Sequence, residues 1–257
     1  MRVTILGCGP SNGVPTVTGD WGKCDPKDPK NRRLRPSILI ETQGKCILID
    51  TSPDFRAQAL AANIQKVDAL LYTHDHADHI MGIDDLRSIH RQMGTQIEVF
   101  ASKSTLNQIV NKFSYLFDRG TEIDPDLLYR PIFRPTEIKG EFKVGKSLIV
   151  PVEQDHGICS TLGFRIGDFA YSTDVVRLPK SSKALLKNLD CWIVDCLRPG
   201  GPHPTHAHWD ITREWIEELK PKRTVLTHMN FETDYESFKA LLPSSVVPGY
   251  DGMEILL

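Results

Sequence analysis

The segment Ala69-Leu70-Leu71-Tyr72-Thr73-His74-Asp75-His76-Ala77-Asp78-His79 decides the fold of this chain. Its first four residues are an apolar run that predicts a short buried strand, and the polar residues follow without a break. His74 and His76 are two residues apart, so in an extended segment their imidazoles lie on the same side. Asp78 and His79 come next on a tight turn and add a carboxylate and a third imidazole. The segment therefore predicts a metal site at the carboxyl end of a strand.

Three more candidate ligands follow predicted strands elsewhere in the chain. His156, Asp174 and His228 each stand just beyond an apolar run, at the end where loops gather and sites form in layered α/β folds. His90 lacks that setting and is expected on the surface of a helix. The predicted metal ligands are His74, His76, Asp78, His79, His156, Asp174 and His228.

Strands and helices alternate along the chain, and no internal repeat is visible. Strands are predicted at 3–6, 37–41, 46–50, 69–72, 147–151, 162–166, 169–172, 191–195 and 223–227, and helices at 55–63, 181–187 and 212–219. Two strand-rich halves with helices predict an α/β fold, a four-layer αββα sandwich. We expect one domain over 1–257, with an inserted segment at about 103–136 whose second half is interrupted by prolines.

The composition is that of an ordinary globular protein, with 257 residues, 40% of them hydrophobic, and a formal net charge of -2. This charge provides no general attraction to nucleic acid, so such binding would need a local basic patch. Lys30, Arg32, Arg33 and Arg35 are one candidate, although the surrounding prolines favour a solvated loop. No signal peptide or membrane-spanning run is visible, so a cytoplasmic location without membrane contact is expected. The six scattered cysteines predict no disulfide bond.

The pattern HxHxDH, followed by a histidine, an aspartate and a histidine, resembles the metallo-β-lactamase superfamily. The resemblance implies the fold of that superfamily and two metal ions that share Asp174. It assigns one ion to His74, His76 and His156, and the other to Asp78, His79 and His228. Asp50 matches the strand-end aspartate of the superfamily, which implies that it orients the metal-binding turn. The alternative is a turn residue at the start of the helix at Phe55.

Four segments narrow the resemblance to the phosphoribosyl cyclic phosphate phosphodiesterases and, more distantly, to the tRNA 3′-processing endonucleases. They are Leu6–Pro15, Asp195-Cys196, His208-Trp209-Asp210 and Gly249–Ile255. The resemblance implies a binuclear hydrolase that cleaves a small cyclic or nucleotide-like phosphodiester by attack of a metal-bridged hydroxide. One feature of the phosphodiesterases is a structural zinc, held by a cysteine cluster and a histidine. Here Cys24 stands alone and Phe231 takes the histidine's position, so no such zinc is expected.

The predicted catalytic residues are His208, Asp210 and the metal ligand Asp78. An imidazole that titrates near neutral pH suits protonation of a leaving alkoxide, and Asp210 is close enough in sequence to orient His208. His203 and His206 are expected to be surface residues of the same loop. The expected cofactors are two divalent ions, zinc or manganese, and the expected partner is a small phosphate ester.

Other functions remain open from the sequence. The same metals are compatible with hydrolysis of a thioester or a lactam, although lactamases generally place cysteine at the position of Asp174. A nucleotide-binding protein without turnover is a third reading, which His208 disfavours. The sequence does not decide between a monomer and a homodimer.

Overall fold

The computed structural model describes residues 1–117 and 131–257 and places fourteen strands in them. The strands are β1 (Arg2–Gly7), β2 (Ser37–Thr42), β3 (Lys45–Ile49), β4 (Ala69–Leu71), β5 (Ile97–Ala101), β6 (Phe133–Glu137), β7 (Phe142–Val144), β8 (Ser147–Asp155), β9 (Ser160–Ile166), β10 (Phe169–Ser172), β11 (Cys191–Asp195), β12 (Arg223–Thr227), β13 (Val246–Pro248) and β14 (Glu254–Leu256). They form two seven-stranded sheets, in the orders β14-β1-β2-β3-β4-β5-β6 and β13-β12-β11-β10-β9-β8-β7.

Helices cover the outer faces of both sheets. They are α1 (Phe55–Ala61), α2 (Ala77–Ile80), α3 (Leu86–Met93), α4 (Lys103–Lys112), α5 (Lys180–Leu185), α6 (Trp209–Leu219) and α7 (Tyr235–Lys239). Alternation along β3 shows how the layers form: Ile47 and Ile49 pack between the sheets, while Leu48 joins the apolar cluster under α1 and α3. On the second sheet, Trp192 lies 6.5 Å from Trp215 of α6. The predicted αββα sandwich is confirmed.

Parallel pairing brings the site residues to one edge of the sandwich. β3, β4 and β5 run parallel in the first sheet, and β10, β11 and β12 run parallel in the second. Because their carboxyl ends meet at the same edge, Asp50, Asp174, Asp195 and His228 lie near the segment that follows β4.

The predicted insertion at 103–136 is partly a component of the first sheet. Its first half is helix α4, as expected, but Phe133–Glu137 forms β6, which pairs with β5 at the sheet edge. Pro135 made a strand at this position look unfavourable in the sequence. An edge strand nevertheless tolerates a proline, because one side of its backbone has no partner. Residues 118–130 lie outside the described residues. The single domain over 1–257 therefore stays a prediction.

The structure bears on two further expectations from the sequence. Of the helices in the described ranges, none combines the length and apolar character that crossing a bilayer requires. All six cysteines are free thiols.

Arg33 is buried, so the prediction of a solvated basic loop is wrong for this residue. Its side chain is 1% exposed, and the guanidinium donates to the carbonyl oxygens of Asn230 and Thr233 at 3.2 and 2.7 Å. It also donates to Oδ1 of Asn31 at 3.2 Å and lies 3.7 Å from Sγ of Cys24. The guanidinium thus links Cys24 to the segment 230–233. The resemblance places a structural zinc between these two segments.

We predict that Arg33→Met lowers the free energy of unfolding by about 2–3 kcal/mol, because buried carbonyl oxygens lose a charged donor. Urea denaturation at a fixed metal concentration measures the change.

The matched control is Arg32→Met, one residue away. Arg32 is exposed and its guanidinium lies 5.0 Å from the ring of Trp21, a contact worth less than about 1 kcal/mol. Equal losses in the two variants would contradict the role given to Arg33.

Candidate metal centre

Asp50 anchors the segment that carries the first four candidate ligands. Its carboxylate, fully buried, accepts from the backbone N–H and the hydroxyl of Thr73, both at 2.9 Å. It also contacts Nδ1 of His79 at 2.7 Å. A carboxylate on Nδ1 holds the proton there and leaves the Nε2 lone pair of His79 facing the cluster. This geometry agrees with the orienting role that the resemblance implied for Asp50.

The structure brings all seven predicted metal ligands together in two groups that share one residue. In each group, the candidate ligand atoms lie within 4.8 Å of one another. The groups are His74, His76, His156 and Asp174, and Asp78, His79, Asp174 and His228.

Asp174 stands between the two groups. Its Oδ1 lies 3.8 Å from Nε2 of His74 and 3.7 Å from Nε2 of His156. Its Oδ2 lies 3.1 Å from Nε2 of His79 and 3.5 Å from Nε2 of His228. Burial raises the pKa of Asp174, but the surrounding imidazoles offset this effect and bring the pKa well below its ordinary value. The residue is therefore an ionised carboxylate with one oxygen facing each group.

The nitrogen atoms of the cluster fit divalent cations. Nε2 of His74, His79 and His228 is buried and forms no hydrogen bond with any described residue. A buried polar atom without a partner costs free energy. One cation would satisfy Nε2 of His74, and a second cation would satisfy Nε2 of His79 and His228. Imidazole and carboxylate together suit zinc, and they also admit manganese.

Three residues of this edge adopt the left-handed backbone conformation although none is glycine. The φ angle is 62° at Asp50, 53° at Asp174 and 60° at His228. Asp50 and His228 directly follow β3 and β12, and Asp174 lies two residues after the end of β10. This conformation costs about 1–2 kcal/mol for an ordinary residue. Each sharp turn directs a polar side chain to the edge where the sheets meet, so the backbone strain coincides with the cluster.

His206 also belongs to the cluster, although the sequence analysis placed it on the surface. Its ring stacks on His228 with centroids 4.4 Å apart, and its Nε2 lies 3.9 Å from Oδ1 of Asp174. Nδ1 contacts Oδ2 of Asp195 at 2.8 Å. Burial lowers the pKa of His206, but the carboxylate of Asp195 outweighs it and raises the pKa to about 9. Nδ1 of His206 is thus held by a buried carboxylate, and its Nε2 lies beside the cluster.

The predicted catalytic pair, His208 and Asp210, lies at the start of α6. His208 occupies the residue before α6, and its Nε2 lies 3.8 Å from Oδ2 of Asp210, whose side chain is 59% exposed. Asp78, the third predicted catalytic residue, lies in the cluster, with Oδ2 3.6 Å from Nε2 of His228. His90 lies outside the cluster, on α3, where its Nδ1 contacts the carbonyl oxygen of Thr95 at 2.9 Å.

One signal in the sequence pointed to the missed pair. Asp195 ends the predicted strand 191–195, so the strand-end rule that selected Asp174 and His228 applies to it equally. No local pattern selects His206 over His203 or His208, because all three share one proline-rich loop.

The comparisons with known proteins agree with this geometry. A sequence model described as a β-lactamase superfamily domain matches residues 45–229. An octanoyltransferase from Porphyromonas gingivalis is 34% identical over the whole chain, but the chain spans only about half (52%) of that protein. A ribonuclease Z from Bradyrhizobium diazoefficiens is 32% identical over 36% of this chain and 32% of that enzyme.

Solved structures match over the full length. The crystal structure of a diphosphatase from the PhnP family has a TM-score of 0.91 and 35% identity, and the match covers 100% of this chain and 97% of that one. The short form of human tRNase Z, with a TM-score of 0.72 and 17% identity over 100% and 99% of the two chains, shares the fold. The chain therefore belongs to the β-lactamase superfamily and, within it, to the PhnP family.

Proposed function

We propose that this chain is a two-metal hydrolase that cleaves a phosphodiester or diphosphate bond in a small, nucleotide-like substrate. One observation carries the proposal: Asp174 stands between two groups of ligand atoms, and His206 lies against them. The similarity to a structure described as a diphosphatase supports the same class of substrate.

The chain's own residues divide into two sets around the metals. Divalent ions bound there supply Lewis acidity, which neutralises phosphate oxygens and lowers the pKa of a water ligand. One ion is assigned to His74, His76 and His156, the other to Asp78, His79 and His228, and Asp174 is shared. Asp50 orients His79, and the carbonyl oxygen of Thr205 orients His156 through its Nδ1 at 2.7 Å.

His206 takes the role that the sequence analysis gave to His208. Cleavage of a phosphodiester releases an alkoxide, which leaves poorly unless a proton reaches it. The carboxylate of Asp195 favours the protonated form of His206, since it raises the pKa of this imidazole to about 9. Asp195 is itself fixed, since its Oδ2 also accepts from the backbone N–H of Val175 at 3.0 Å. We therefore assign proton donation to His206 and its orientation to Asp195.

Acyl hydrolysis is the second candidate, because the chain matches half of an octanoyltransferase. The His206–Asp195 pair favours phosphate chemistry, since a thiolate, with a pKa of about 8.5, leaves without a proton whereas an alkoxide does not.

The first test is a substrate panel with zinc and with manganese. We expect turnover of diphosphates and phosphodiesters and little turnover of octanoyl thioesters or lactams. Thioester turnover without phosphodiester turnover would reverse this ranking.

We predict that Asp174→Asn reduces the bound metal from about two ions per chain and abolishes phosphodiester turnover. The neutral amide no longer offsets the repulsion between two cations held close together. Elemental analysis after dialysis measures the metal content.

Asp168→Asn is the matched control, because the side chain of Asp168 is 61% exposed and ion-paired to Arg165 in the turn between β9 and β10. An Asp174→Asn variant that retains two ions with wild-type affinity would remove Asp174 from the shared position.

We predict that His206→Asn keeps both metal ions but slows cleavage of an alkyl phosphodiester by roughly 10²–10⁴-fold, the range for loss of a general acid. The deficit shrinks with a nitrophenyl leaving group, which needs no proton. Steady-state rates on both substrates measure the effect.

His208→Asn provides the comparison, since it tests the residue that the sequence favoured. We expect less than a tenfold effect on either substrate. A large loss in His208→Asn, together with an unaffected His206→Asn, would return the catalytic role to His208.

A further inference from the structure

His203 is a second histidine beside the metal centre that the mechanism above leaves without a task. It lies three residues before His206, and the two ring centroids are 5.3 Å apart. Its side chain is half-buried, so part of the ring is open to solvent. Among the ring contacts of the described residues, His203 touches His206 and none of the ligand histidines. His203 therefore borders the cluster through its contact with His206.

The neighbouring backbone determines which nitrogen of His203 carries the proton. The backbone N–H of Thr205 donates to Nδ1 over a long 3.4 Å, and the Thr205 hydroxyl lies 3.2 Å from the same atom. A backbone N–H can only donate, so Nδ1 is the acceptor and the proton of the neutral ring is on Nε2. The Nε2–H group remains available as a hydrogen-bond donor.

The segment that carries His203 is held from both ends. Before it, Nε and Nη2 of Arg198 donate to the carbonyl oxygens of Gly201 and Pro202 at 3.2 and 2.8 Å. The Arg198 guanidinium is fixed in turn by Glu232 at 3.3 Å. A donor held in place before the substrate arrives loses little entropy on binding.

Beyond His203, the loop packs directly on the segment that carries a metal ligand. A Cβ atom on Gly157, which has a φ of +86°, would lie 2.3 Å from the carbonyl oxygen of Pro204. Gly157 follows His156, whose Nδ1 contacts the carbonyl oxygen of Thr205 at 2.7 Å. The position of His203 is therefore tied to the metal centre itself.

We propose that His203 is a specificity-determining residue, whose Nε2–H binds the leaving phosphoryl group and so favours diphosphates over phosphodiesters with an alcohol leaving group. This inference rests on the proposed function. When water cleaves a diphosphate, its oxygen bonds to one phosphorus and the bond from that phosphorus to the bridging oxygen breaks. The bridging oxygen leaves as an oxygen of the second phosphate, whose pKa of about 6 lets it depart without a proton, and the protons of the attacking water pass to solvent. His203 donates a hydrogen bond to the departing phosphate and transfers no proton.

The chemistry of the leaving group explains why this donor discriminates. A leaving phosphate carries charged oxygens besides the former bridging oxygen, and these accept a hydrogen bond from an imidazole. A nitrophenolate or an alcohol offers no such oxygen near the reacting bond. The loss of His203 therefore affects one substrate class and not the other.

The test compares His203→Asn with the wild type on two substrates, with metal content verified. Diadenosine diphosphate releases AMP, whereas bis(4-nitrophenyl) phosphate releases nitrophenolate. We expect kcat/KM to fall roughly 10–100-fold on the diphosphate, the worth of one hydrogen bond to a charged group, and less than about threefold on the diester. The affinity for AMP, measured by calorimetry on the metal-loaded protein, should fall by a similar factor.

His90→Asn is the matched control, because His90 lies on α3 outside the cluster, and it should leave both rates unchanged. Equal losses of His203→Asn on the two substrates would overturn the proposal, as would unchanged kcat/KM and AMP affinity. A wild type that cleaves the diester but not the diphosphate overturns the role of His203 and leaves the phosphodiesterase standing. A metal-loaded wild type that cleaves neither overturns the proposed function as well.

Discussion

The structure of this edge depends on one buried carboxylate between four imidazoles. Both oxygens of Asp174 lie within 3.8 Å of histidine nitrogens, and those nitrogens come from three different parts of the chain. A buried negative charge is tolerated only where it is compensated, so Asp174 and its histidines require one another. The two sheets must therefore meet so that the ends of β4, β8, β10 and β12 converge on this group.

Two buried aspartates beside the cluster, Asp50 and Asp195, maintain that convergence. Asp50 binds both the backbone of Thr73 and the ring of His79, so it fixes the start and the end of the metal-binding turn together. Asp195 has the same function in the second sheet, where it joins Val175 to His206. Each sheet thus contributes one aspartate that orients one histidine. Both aspartates are fully buried, which agrees with this shared role.

The loop between β11 and α6 runs from the buried candidate metal centre to the protein surface. Thr205 is its central residue, because its carbonyl oxygen orients His156 while its N–H and hydroxyl fix the ring of His203. Arg198 and Glu232 attach the start of this loop to the segment that Arg33 holds from the other side. The specificity proposed for His203 therefore depends on a series of buried and half-buried polar contacts that extends away from the metals.

The sequence alone determined the local part of this picture. The spacing of His74, His76, Asp78 and His79 predicted a metal site, because a strand followed by a tight turn converts fixed intervals into fixed directions. The rule that sites form at strand ends selected His156, Asp174 and His228, and two strand-rich halves with helices predicted the sandwich. The tertiary structure decided what depends on distant segments. It placed His206 against His228 and Asp195, a contact that no local pattern distinguishes among the histidines of one loop. It buried Arg33 because carbonyl oxygens some two hundred residues away in sequence supply its partners. It also made Phe133–Glu137 an edge strand, since pairing with β5 outweighs the local effect of Pro135. Local intervals are encoded in the order of residues, whereas these three outcomes depend on which remote surfaces meet when the sheets pack.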